Sequence, residues 1–438
     1  MTDAKRTFDV LALTACLVVL LAPISRVLAV IDGRQGPDYA QHTILFAVDV
    51  ALAVLVVQRA PALVILVRRW RSHAASLAAV ILAFALIPGL IANPGDRGVA
   101  AILRLVGVAL LASLVPDLGV PERRALLGAV AVVLAVSGSF ALYQRATGGP
   151  LGLPSFGESS EGVLSIGGGT APFGLFVHPY VMAAWATVLG LGLVAIRLED
   201  RDGERSAGLP APLLLLGAAP IALSMCRSAV VGVALASVPL AVLVFRARSR
   251  LRDLLVFGLV AGAVALGAAW NIGGWLNRAT STVGSDPTTL RGSLNDQAFG
   301  LLRQDPVLGV GPGNYVLALR ERPDLVALNP QTPRPVHNTP LLLVVEGGLF
   351  VGPALALCVL AIGWQALRAG PVGWVLVGAF APFLLFDHLA WSFPQGLVLT
   401  GLWMGLLDLA AKERCALKNC AGPVQTVGDL LPPTPTSG

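Results

Sequence analysis

Apolar runs recur along the whole chain, separated by shorter polar segments that carry most of its charge. A membrane-spanning helix needs about 20 mostly apolar residues, and runs of this length are too long for buried strands. The pattern therefore predicts about twelve transmembrane helices. They are placed at 8–31, 42–57, 74–92, 98–116, 125–143, 175–196, 209–226, 228–245, 251–270, 340–363, 371–387 and 393–410.

Two of these placements depend on single features. The first run follows Lys5 and Arg6 as a signal peptide would, but it exceeds the roughly 7–15 apolar residues of such a segment, so it is predicted to be a retained span. The boundary between 209–226 and 228–245 depends on Arg227, because an uninterrupted helix over 209–245 would be too long for a single crossing.

The composition places the chain in the membrane class. Of its 438 residues, 55% are hydrophobic and 13% are charged, and the mean hydropathy is +0.77. Soluble domains carry about 25% charged residues. The composition thus excludes a soluble globular protein, and function is sought where polar residues enter or border the bilayer, because they are costly there.

Lys and Arg are distributed unequally between the two sides of the predicted bundle. With a cytoplasmic N-terminus, 19 of the 31 fall on inside segments and nine on outside segments, six of those nine in one long loop. Cytoplasmic loops carry the excess of basic residues, so both termini are predicted to be cytoplasmic. The net charge of +6 follows from this bias and requires no nucleic-acid partner.

Two predicted outer segments are longer than turns. Residues 144–174 are rich in Gly and Ser, and in residues 271–339 the apolar positions Leu294, Ala298 and Leu301 recur at helical spacing. A structureless segment as long as the second one is unusual, so it is predicted to be folded or functional. The predicted fold class is an all-α polytopic membrane protein with a long, partly helical outer loop before the tenth helix.

The membrane domain is predicted to cover residues 1–414. The chain ends in PPTPTSG, which predicts a disordered cytoplasmic tail over residues 415–438. The five cysteines lie in apolar runs or in this tail, and their spacing matches no zinc pattern. Neither a metal ion nor a cofactor is predicted.

His337 stands at the start of the tenth span, in PRPVHNTPLLLVVEGGLFVG. Thr339 as N-cap and Pro340 at the first helical position predict a helix that begins just after the histidine. A neutral imidazole there can accept a proton from a hydroxyl, although a histidine that only binds headgroups or the helix end is commoner. Glu346 is not its direct partner, because nine helical positions place it half a turn away and about 13 Å along the axis. It is predicted to be an interior carboxyl that bonds a neighbouring helix, either protonated or paired with an arginine.

Three further polar residues lie on the predicted outer side. Arg227 stands between two spans, where a guanidinium needs an anionic partner and suits phosphate, with snorkelling to lipid headgroups as the alternative. Arg291 lies early in an amphipathic helix, where an ordinary solvated arginine is the simplest interpretation. His178 opens the sixth span as His337 opens the tenth, and a plain interfacial role suits it equally well. The glycines of GVGPGNY lack the Lys-Ser/Thr of a phosphate loop and predict a turn that closes the helix.

Four stretches together resemble one family, the O-antigen ligase and polymerase superfamily. HNTPLLLVVEGGLFVG resembles its His-Asn and Glu-x-Gly hallmark, and RGSLNDQAFGLLRQDPVLGVGPGNY resembles the arginine-headed helix and glycine turn that precede it. SMCRSAVVG is similar to the Ser-Arg junction, although Met225 and Cys226 separate Ser224 from Arg227. FVHPYVMAAWA is similar to a His-Pro-Asn opening with Tyr180 in place of Asn. The resemblance covers about residues 170–410, whereas the first five spans match only in being apolar.

The resemblance implies a membrane-embedded glycosyltransferase of the GT-C type in the bacterial inner membrane, with its active site facing the periplasm. Such an enzyme moves a glycan from undecaprenyl pyrophosphate to a hydroxyl of a glycan, lipid or protein acceptor, among membrane lipids. His337 would be the base or the group that orients the acceptor, and Arg227 and Arg291 would hold the donor pyrophosphate. Asn338, Glu346 and His178 are carried over as supporting residues. A metal-independent, inverting transfer is expected.

Other functions remain open at the level of the sequence. A polymerase that extends the lipid-linked glycan shares the motifs of a ligase, and neither loop length nor charge separates the two. A transporter would also explain many spans and the interior Arg26, Arg104 and Glu346, but transporters usually show two related halves, and the chain has no evident internal repeat. A membrane scaffold would not need arginines gathered on the outer side.

Overall fold

The computed structural model of the chain describes residues 2–24, 27–30, 44–60, 63–156, 158–166, 169–200, 211–247, 251–280, 287–326 and 333–420. Helices dominate these ranges. The first seven, α1 to α7, are Thr2–Leu21, Ala47–Arg59, Leu63–Arg68, Ala74–Ala85, Ile87–Ala92, Asp96–Leu114 and Val120–Thr147. The next seven, α8 to α14, are Pro179–Trp185, Leu191–Glu199, Ala211–Leu223, Arg227–Arg246, Leu251–Trp270, Ile272–Thr280 and Pro287–Gln304. The last seven, α15 to α21, are Tyr315–Arg320, Pro323–Val326, Thr339–Gly347, Val351–Ala369, Pro371–Phe386, Leu389–Ser392 and Pro394–Cys420.

Short irregular helices and two hairpins join these elements. Single 3₁₀ turns occupy Trp70–Ser72, Val115–Asp117, Pro154–Phe156 and Gly348–Phe350, and a π-helical turn, Ala186–Gly190, joins α8 to α9. Strands β1 (Val27–Val30) and β2 (Ile44–Phe46) pair antiparallel. Strands β3 (Val163–Ile166) and β4 (Gly169–Pro172) form a second antiparallel hairpin, with Val163 opposite Pro172 and Ile166 opposite Gly169.

Six helical segments among the described residues are long and apolar enough to cross a membrane: Ala74–Ala92, Asp96–Asp117, Val120–Thr147, Pro179–Glu199, Arg227–Arg246 and Thr339–Ala369. Four shorter apolar helices accompany them: Val10–Leu21, Pro212–Leu223, Phe257–Trp270 and Pro371–Phe386. The all-α, multi-pass class predicted from the apolar runs is therefore supported. The count of about twelve crossings stays a prediction.

Three predicted boundaries can be compared directly with the ends of helices in the structure. The span expected at 8–31 is wrong at its C-terminal end, because α1 stops at Leu21, two residues before Pro23; proline lacks the N–H that a continuing helix needs. The uncertain break at Arg227 is confirmed, since α10 ends at Leu223 and α11 begins at Arg227. Residues 415–420, expected in a disordered tail, are helical, because α21 continues to Cys420. The remainder of the predicted tail, 421–438, lies outside the described residues.

Both predicted outer segments contain structure. Residues 144–174 include the β3–β4 hairpin and are held by Glu158, whose carboxylate accepts hydrogen bonds from the N–H groups of Leu151 and Leu153 and from the Gln144 side chain. Helices α13 to α16 lie within residues 271–339. Residues 281–286 and 327–332 of that segment lie outside the described ranges.

The interior consists of two apolar clusters. The larger one fills the bundle between helices such as α7, α10, α11, α19 and α21. The smaller one packs Leu294, Ala298 and Leu301 of α14 with Tyr315 of α15 against α4, α6 and α17. These α14 residues are buried as their helical spacing predicts. The smaller cluster therefore packs α14 and α15 against α17.

A buried carboxylate fixes the other end of the bundle. Asp408 of α21 is fully buried and accepts hydrogen bonds from the N–H groups of Ala75 (3.1 Å) and Ser76 (3.1 Å), the Ser76 hydroxyl (2.7 Å) and the Gln365 amide (2.7 Å). It thereby caps the N-terminus of α4 from a distant helix and satisfies donors that the helix cannot satisfy itself. We refer to the end of the bundle that carries His337 as the site end and to this one as the opposite end.

Candidate active site

The start of α17 is held by two polar side chains next to His337. Asn338, not Thr339, is the N-cap, because its Oδ1 accepts a hydrogen bond from the N–H of Leu341 at 2.9 Å. Thr339 is already helical, and its hydroxyl donates to the carbonyl of Asp387 at 2.9 Å. The predicted cap was thus wrong by one residue, and Thr339 instead ties the start of α17 to the end of α19.

A second histidine faces His337. The rings of His337 and His388 lie 5.1 Å apart in an edge-to-face arrangement, and His388 also stacks on Phe393 with ring centres 5.7 Å apart. The Nδ1 atoms of both histidines are buried, and neither has a hydrogen-bond partner within the described ranges. The two imidazoles therefore form one packed pair, and each has a buried ring nitrogen without a hydrogen-bond partner among the described residues.

Asp387, the residue before His388, fixes the backbone that carries this histidine. Its carboxylate is buried, and its Oδ1 accepts hydrogen bonds from the N–H groups of His388 at 2.7 Å and Leu389 at 3.1 Å. Burial raises the pKa of Asp387, and this effect outweighs the opposing attraction of His337 and the hydrogen bond from His388. The carboxylate fixes the turn between α19 and α20 and so sets the position of His388.

His178 is the third histidine of the group. It is the N-cap of α8, and its Nδ1 accepts a hydrogen bond from the N–H of Tyr180 at 3.2 Å, so that its Nε2 carries the proton in the neutral ring. Burial lowers the pKa of His178, with Asp387 raising it and His337 lowering it further. His178, His337, His388 and Asp387 together are called the histidine cluster below.

His337 is held neutral by its surroundings. Burial is the largest cause, and it lowers the pKa of His337 to about 4; the nearby His388 and Arg291 act in the same direction, while Asp387 and the carbonyl of Pro335 oppose them. Burial likewise lowers the pKa of His388 to about 4. Both imidazoles are therefore unprotonated near neutral pH, as a proton acceptor requires.

The structure brings Arg291 to the histidine cluster. Its guanidinium carbon lies 5.6 Å from the ring centre of Phe386, the residue before Asp387, and its charge acts on His337. The side chain is exposed. A cation over an aromatic face keeps its orientation while its N–H groups remain available to a ligand, so Arg291 combines a fixed position with an exposed side chain.

Arg227 lies at the same end of the bundle but on another element. It is the first residue of α11, which runs antiparallel to α19: a β carbon added at Gly232 would lie 2.7 Å from the carbonyl oxygen of Ala379, and one at Gly378 would meet Leu235. From that crossing Arg227 is about 8 Å along α11 and Phe386 about 11 Å along α19. The N-terminus of α11 thus lies at the same end of the bundle as the C-terminus of α19.

Glu346 belongs to a neighbouring structural unit. Its Oε2 accepts hydrogen bonds from the N–H of Gly313 and the indole of Trp391, both at 2.7 Å, and its Oε1 accepts a longer one from the N–H of Tyr315 at 3.4 Å. The predicted bond to another element is present, but its partners are the N–H groups of Gly313 and Tyr315 and the indole of Trp391. The helix breaks only after Glu346, at Gly348, so the carboxylate still points away from His337.

The glycine turn of residues 309–313 closes against α17. The N–H groups of Val310 and Gly311 donate to the carbonyls of Val345 and Glu346 at 3.0 and 2.9 Å. Gly309 has a left-handed φ of 66°, and a β carbon there would lie 2.5 Å from the carbonyl oxygen of Val345. Only glycine fits that contact, which explains the run of glycines without any phosphate-loop role.

Sequence reasoning missed Asp387 and His388. It placed Asp387 as the last residue of the span 371–387 and gave His388 no role. The available signal was an acid and a histidine, in FDHLAW, at the point where an apolar run leaves the membrane on the same side as His337. Titratable residues at such a position carry a cost and deserve a functional hypothesis.

The histidine cluster and the adjacent Arg291 combine a neutral imidazole that can accept a proton with a guanidinium that can neutralise an anion. In the part of the chain that the structure describes, no three His, Cys, Asp or Glu side chains gather in an arrangement that would hold a metal ion.

The fold and the site together define a multi-pass, all-helical membrane protein with a polar group of histidines, an aspartate and arginines at one end of its bundle. Residues 212–356 match the model of the O-antigen ligase family. The match supports an O-antigen ligase family for this chain and confirms the resemblance inferred from the motifs. It covers about a third of the chain and includes Arg227, Arg291 and His337. No curated protein matches the chain.

Proposed function

We propose that the protein transfers a glycan from an undecaprenyl-pyrophosphate carrier to a hydroxyl group of an acceptor at the periplasmic face of the bacterial inner membrane. The observation that carries the proposal is the placement of Arg291 beside a neutral His337, within the segment that matches the O-antigen ligase family. A lipid-linked donor reaches such a site from the bilayer, since the bundle is built of membrane-spanning helices.

His337 acts as the general base in this proposal. The acceptor hydroxyl donates its proton to the imidazole while its oxygen attacks the anomeric carbon of the glycan. The bond between that carbon and the pyrophosphate oxygen breaks, and its electron pair leaves with undecaprenyl pyrophosphate. Attack opposite the leaving group inverts the anomeric configuration. The proton on His337 is then released to water, which restores the base.

The arginines bind the charge of the leaving group. Arg291 lies beside His337, and Arg227 stands at the N-terminus of α11, a 20-residue helix whose N-cap residue Cys226 makes no capping hydrogen bond through its side chain. A helix N-terminus favours anions, and a guanidinium adds a planar pair of donors. Donors fixed in place before the bond breaks stabilise the charge that develops on the pyrophosphate. Charge stabilisation is thus assigned to arginines without a metal ion.

The proposal is tested with purified protein, a defined lipid-linked glycan and a panel of glycan, lipid and protein acceptors. The wild type should produce a glycan on a new anchor, and His337→Ala should abolish transfer while the lipid donor still binds. Full activity of His337→Ala would overturn the assignment of the base. The control is Arg303→Ala, because Arg303 is exposed. His73→Ala is less suitable, because His73 packs against Asp117 at the opposite end of the bundle.

The product of the same experiment separates ligase from polymerase. A ligase releases the carrier and leaves the glycan on the acceptor, whereas a polymerase lengthens the glycan on the carrier. The match to the O-antigen ligase family does not separate the two, because the polymerase is a related family. Uptake of the lipid-linked glycan without any new glycosidic bond would instead favour the transporter.

A further inference from the structure

The junction between α10 and α11 contains an unusual backbone conformation. Met225 has a φ of 53°, and among the described residues it is the one non-glycine residue with a positive φ. The left-handed region is unfavourable for a side chain with a β carbon. Such a conformation persists where the surrounding structure over-determines it, so the surroundings of Met225 indicate what the conformation serves.

The side chain of Met225 is fully buried between two glycines of other segments. A β carbon added at Gly169 of β4 would lie 2.7 Å from Sδ of Met225, and one added at Gly274 of α13 would lie 2.8 Å from its Cε. The latter would also lie 2.9 Å from the Cα of Gly169. The β3–β4 hairpin, α13 and Met225 thus meet with no room for one more methyl group.

Hydrogen bonds hold the same three segments together. The buried Asn271 donates through Nδ2 to the carbonyls of Thr170 at 3.2 Å and Leu223 at 3.4 Å. The indole of Trp275 donates to the carbonyl of Ala222 at 3.3 Å. The last residues of α10 are therefore bound to β4 and α13 immediately before the left-handed residue.

We propose that Met225 is a positioning residue for Arg227. The left-handed turn at Met225 reverses the chain so that α11 starts two residues later with Arg227, and the contacts with Gly169 and Gly274 fix that turn. The β3–β4 hairpin and α13 thus influence the position of Arg227 through Met225. The inference rests on the proposed role of Arg227 in binding the donor.

The role is tested by steady-state kinetics of glycan transfer, with the donor and the acceptor varied separately. Met225→Ala and Gly274→Ala should each raise the donor KM about tenfold, since small misplacements of a positioning group cost up to about a hundredfold. The acceptor KM should not change. Met225→Leu keeps the volume and the unbranched β carbon, so it should stay close to the wild type.

A matched control separates positioning from general packing. Met404 of α21 is also buried, and Met404→Ala removes an equivalent side chain from the core at a distance from the junction. It should lower the thermal stability and leave the donor KM unchanged. Should Met404→Ala raise the donor KM as much as Met225→Ala, the effect is one of general destabilisation and the inference is wrong.

Double variants decide whether Met225 acts through Arg227. In the Arg227→Ala background, Met225→Ala should add nothing further to the donor KM, whereas independent effects would add in full. Full additivity overturns the inference.

If Arg227→Ala alone leaves the donor KM unaltered, the proposed donor site fails together with the inference. If Arg227→Ala raises it and Met225→Ala does not, only the inference fails. If Met225→Ala does not fold, Met225→Gly takes its place. Glycine adopts the left-handed region freely and also lacks the side chain, so Met225→Gly should raise the donor KM by the amount expected for Met225→Ala.

Discussion

His337 sits among groups that act on its charge in opposite directions. Burial, His388 and Arg291 favour the neutral imidazole, whereas Asp387 and the carbonyl of Pro335 favour the protonated one. The outcome is a pKa of about 4. A base with so low a pKa is weaker in water, but it remains unprotonated near neutral pH, so lower basicity is accompanied by constant availability.

The pH dependence of transfer follows from this shift. A histidine is active as a base in its neutral form, which predominates above its pKa. We therefore expect kcat/KM to be level from about pH 8 to about pH 6 and to decline only as the pH approaches about 4. Asp387→Asn removes a charge that favours the imidazolium, so it should move the decline to lower pH. A decline centred on the ordinary histidine value, near pH 6.5, would contradict the environment described for His337.

Arg291 is predicted to contribute geometry as well as charge. Lysine keeps the charge but not the planar fork, and one charge-assisted hydrogen bond contributes about 1.5–3 kcal/mol. Arg291→Lys should therefore raise the donor KM about tenfold or more. Arg303→Lys, on the same helix and also exposed, is the matched control and should leave the donor KM unchanged. Equal effects of the two changes would show that Arg291 is only a surface residue of α14.

At the scale of elements, the glycine turn and α17 form one unit. Glu346 binds the N–H of Gly313 and the indole of Trp391, and the backbone of its own helix receives Val310 and Gly311. This unit links the α14–α15 segment, which carries Arg291 at its far end, to the helix that follows His337. The relative position of Arg291 and His337 thus depends on the hydrogen bonds of this unit.

Glu346→Gln tests this linkage. The amide retains one acceptor oxygen but turns N–H donors toward the N–H groups that the carboxylate satisfies, and leaving buried donors unsatisfied costs about 1–3 kcal/mol each. We expect a loss of about 2 kcal/mol in stability, measured as a lower midpoint of thermal unfolding in detergent. Glu161→Gln, an exposed glutamate beside the β3–β4 hairpin, should leave the midpoint unchanged, and a similar midpoint for both variants would mean that the turn is held by its backbone alone.

Gly309→Ala probes the turn independently of any charge. Alanine at this left-handed position would place its methyl 2.5 Å from the carbonyl oxygen of Val345, so the turn must move away from α17. Both the unfolding midpoint and the transfer rate should fall. Gly352→Ala lies in α18 with open space around its position, and it should be neutral or slightly stabilising because alanine is the better helix former. A wild-type midpoint for Gly309→Ala would refute the close contact.

At the scale of the whole molecule, apolar periodicity was enough for the helical membrane class but not for the ends of its elements. Pro23 ends α1 at Leu21, although the apolar pattern continues to Ile31. The capping residue was displaced by one because Thr339 bonds Asp387, a partner that lies 48 residues away along the chain. Such long-range contacts leave no mark in local spacing, and tertiary partners decide which of two adjacent polar residues caps a helix.

The candidate site shows the same limit. His337 and His178 stood out because each opens a predicted span, whereas the role of Arg291 came from the family resemblance. In the structure Asp387 acts on both histidines, and Arg291 lies over Phe386, the residue before it. Asp387 and His388 were missed because an apolar run that ends in an acid looks like an ordinary span boundary. Their relation to His337 depends on how α17, α19 and α20 pack, which no sequence pattern within one helix contains.

The orientation of the bundle remains a prediction that the distribution of charge supports. Asp117 at the opposite end contacts Arg59 at 2.5 Å and Lys412 at 3.9 Å, and His73 lies 3.4 Å from it. Basic residues favour the cytoplasmic side, so this end should face the cytoplasm and the histidine cluster the periplasm.

In a variant with Cys415 and Cys420 replaced by Ser, Glu161→Cys near the site end should react with a membrane-impermeant maleimide in intact cells. Ala60→Cys, exposed at the opposite end, should react only after permeabilisation. The reverse labelling pattern would place the histidine cluster in the cytoplasm and exclude transfer at the periplasmic face.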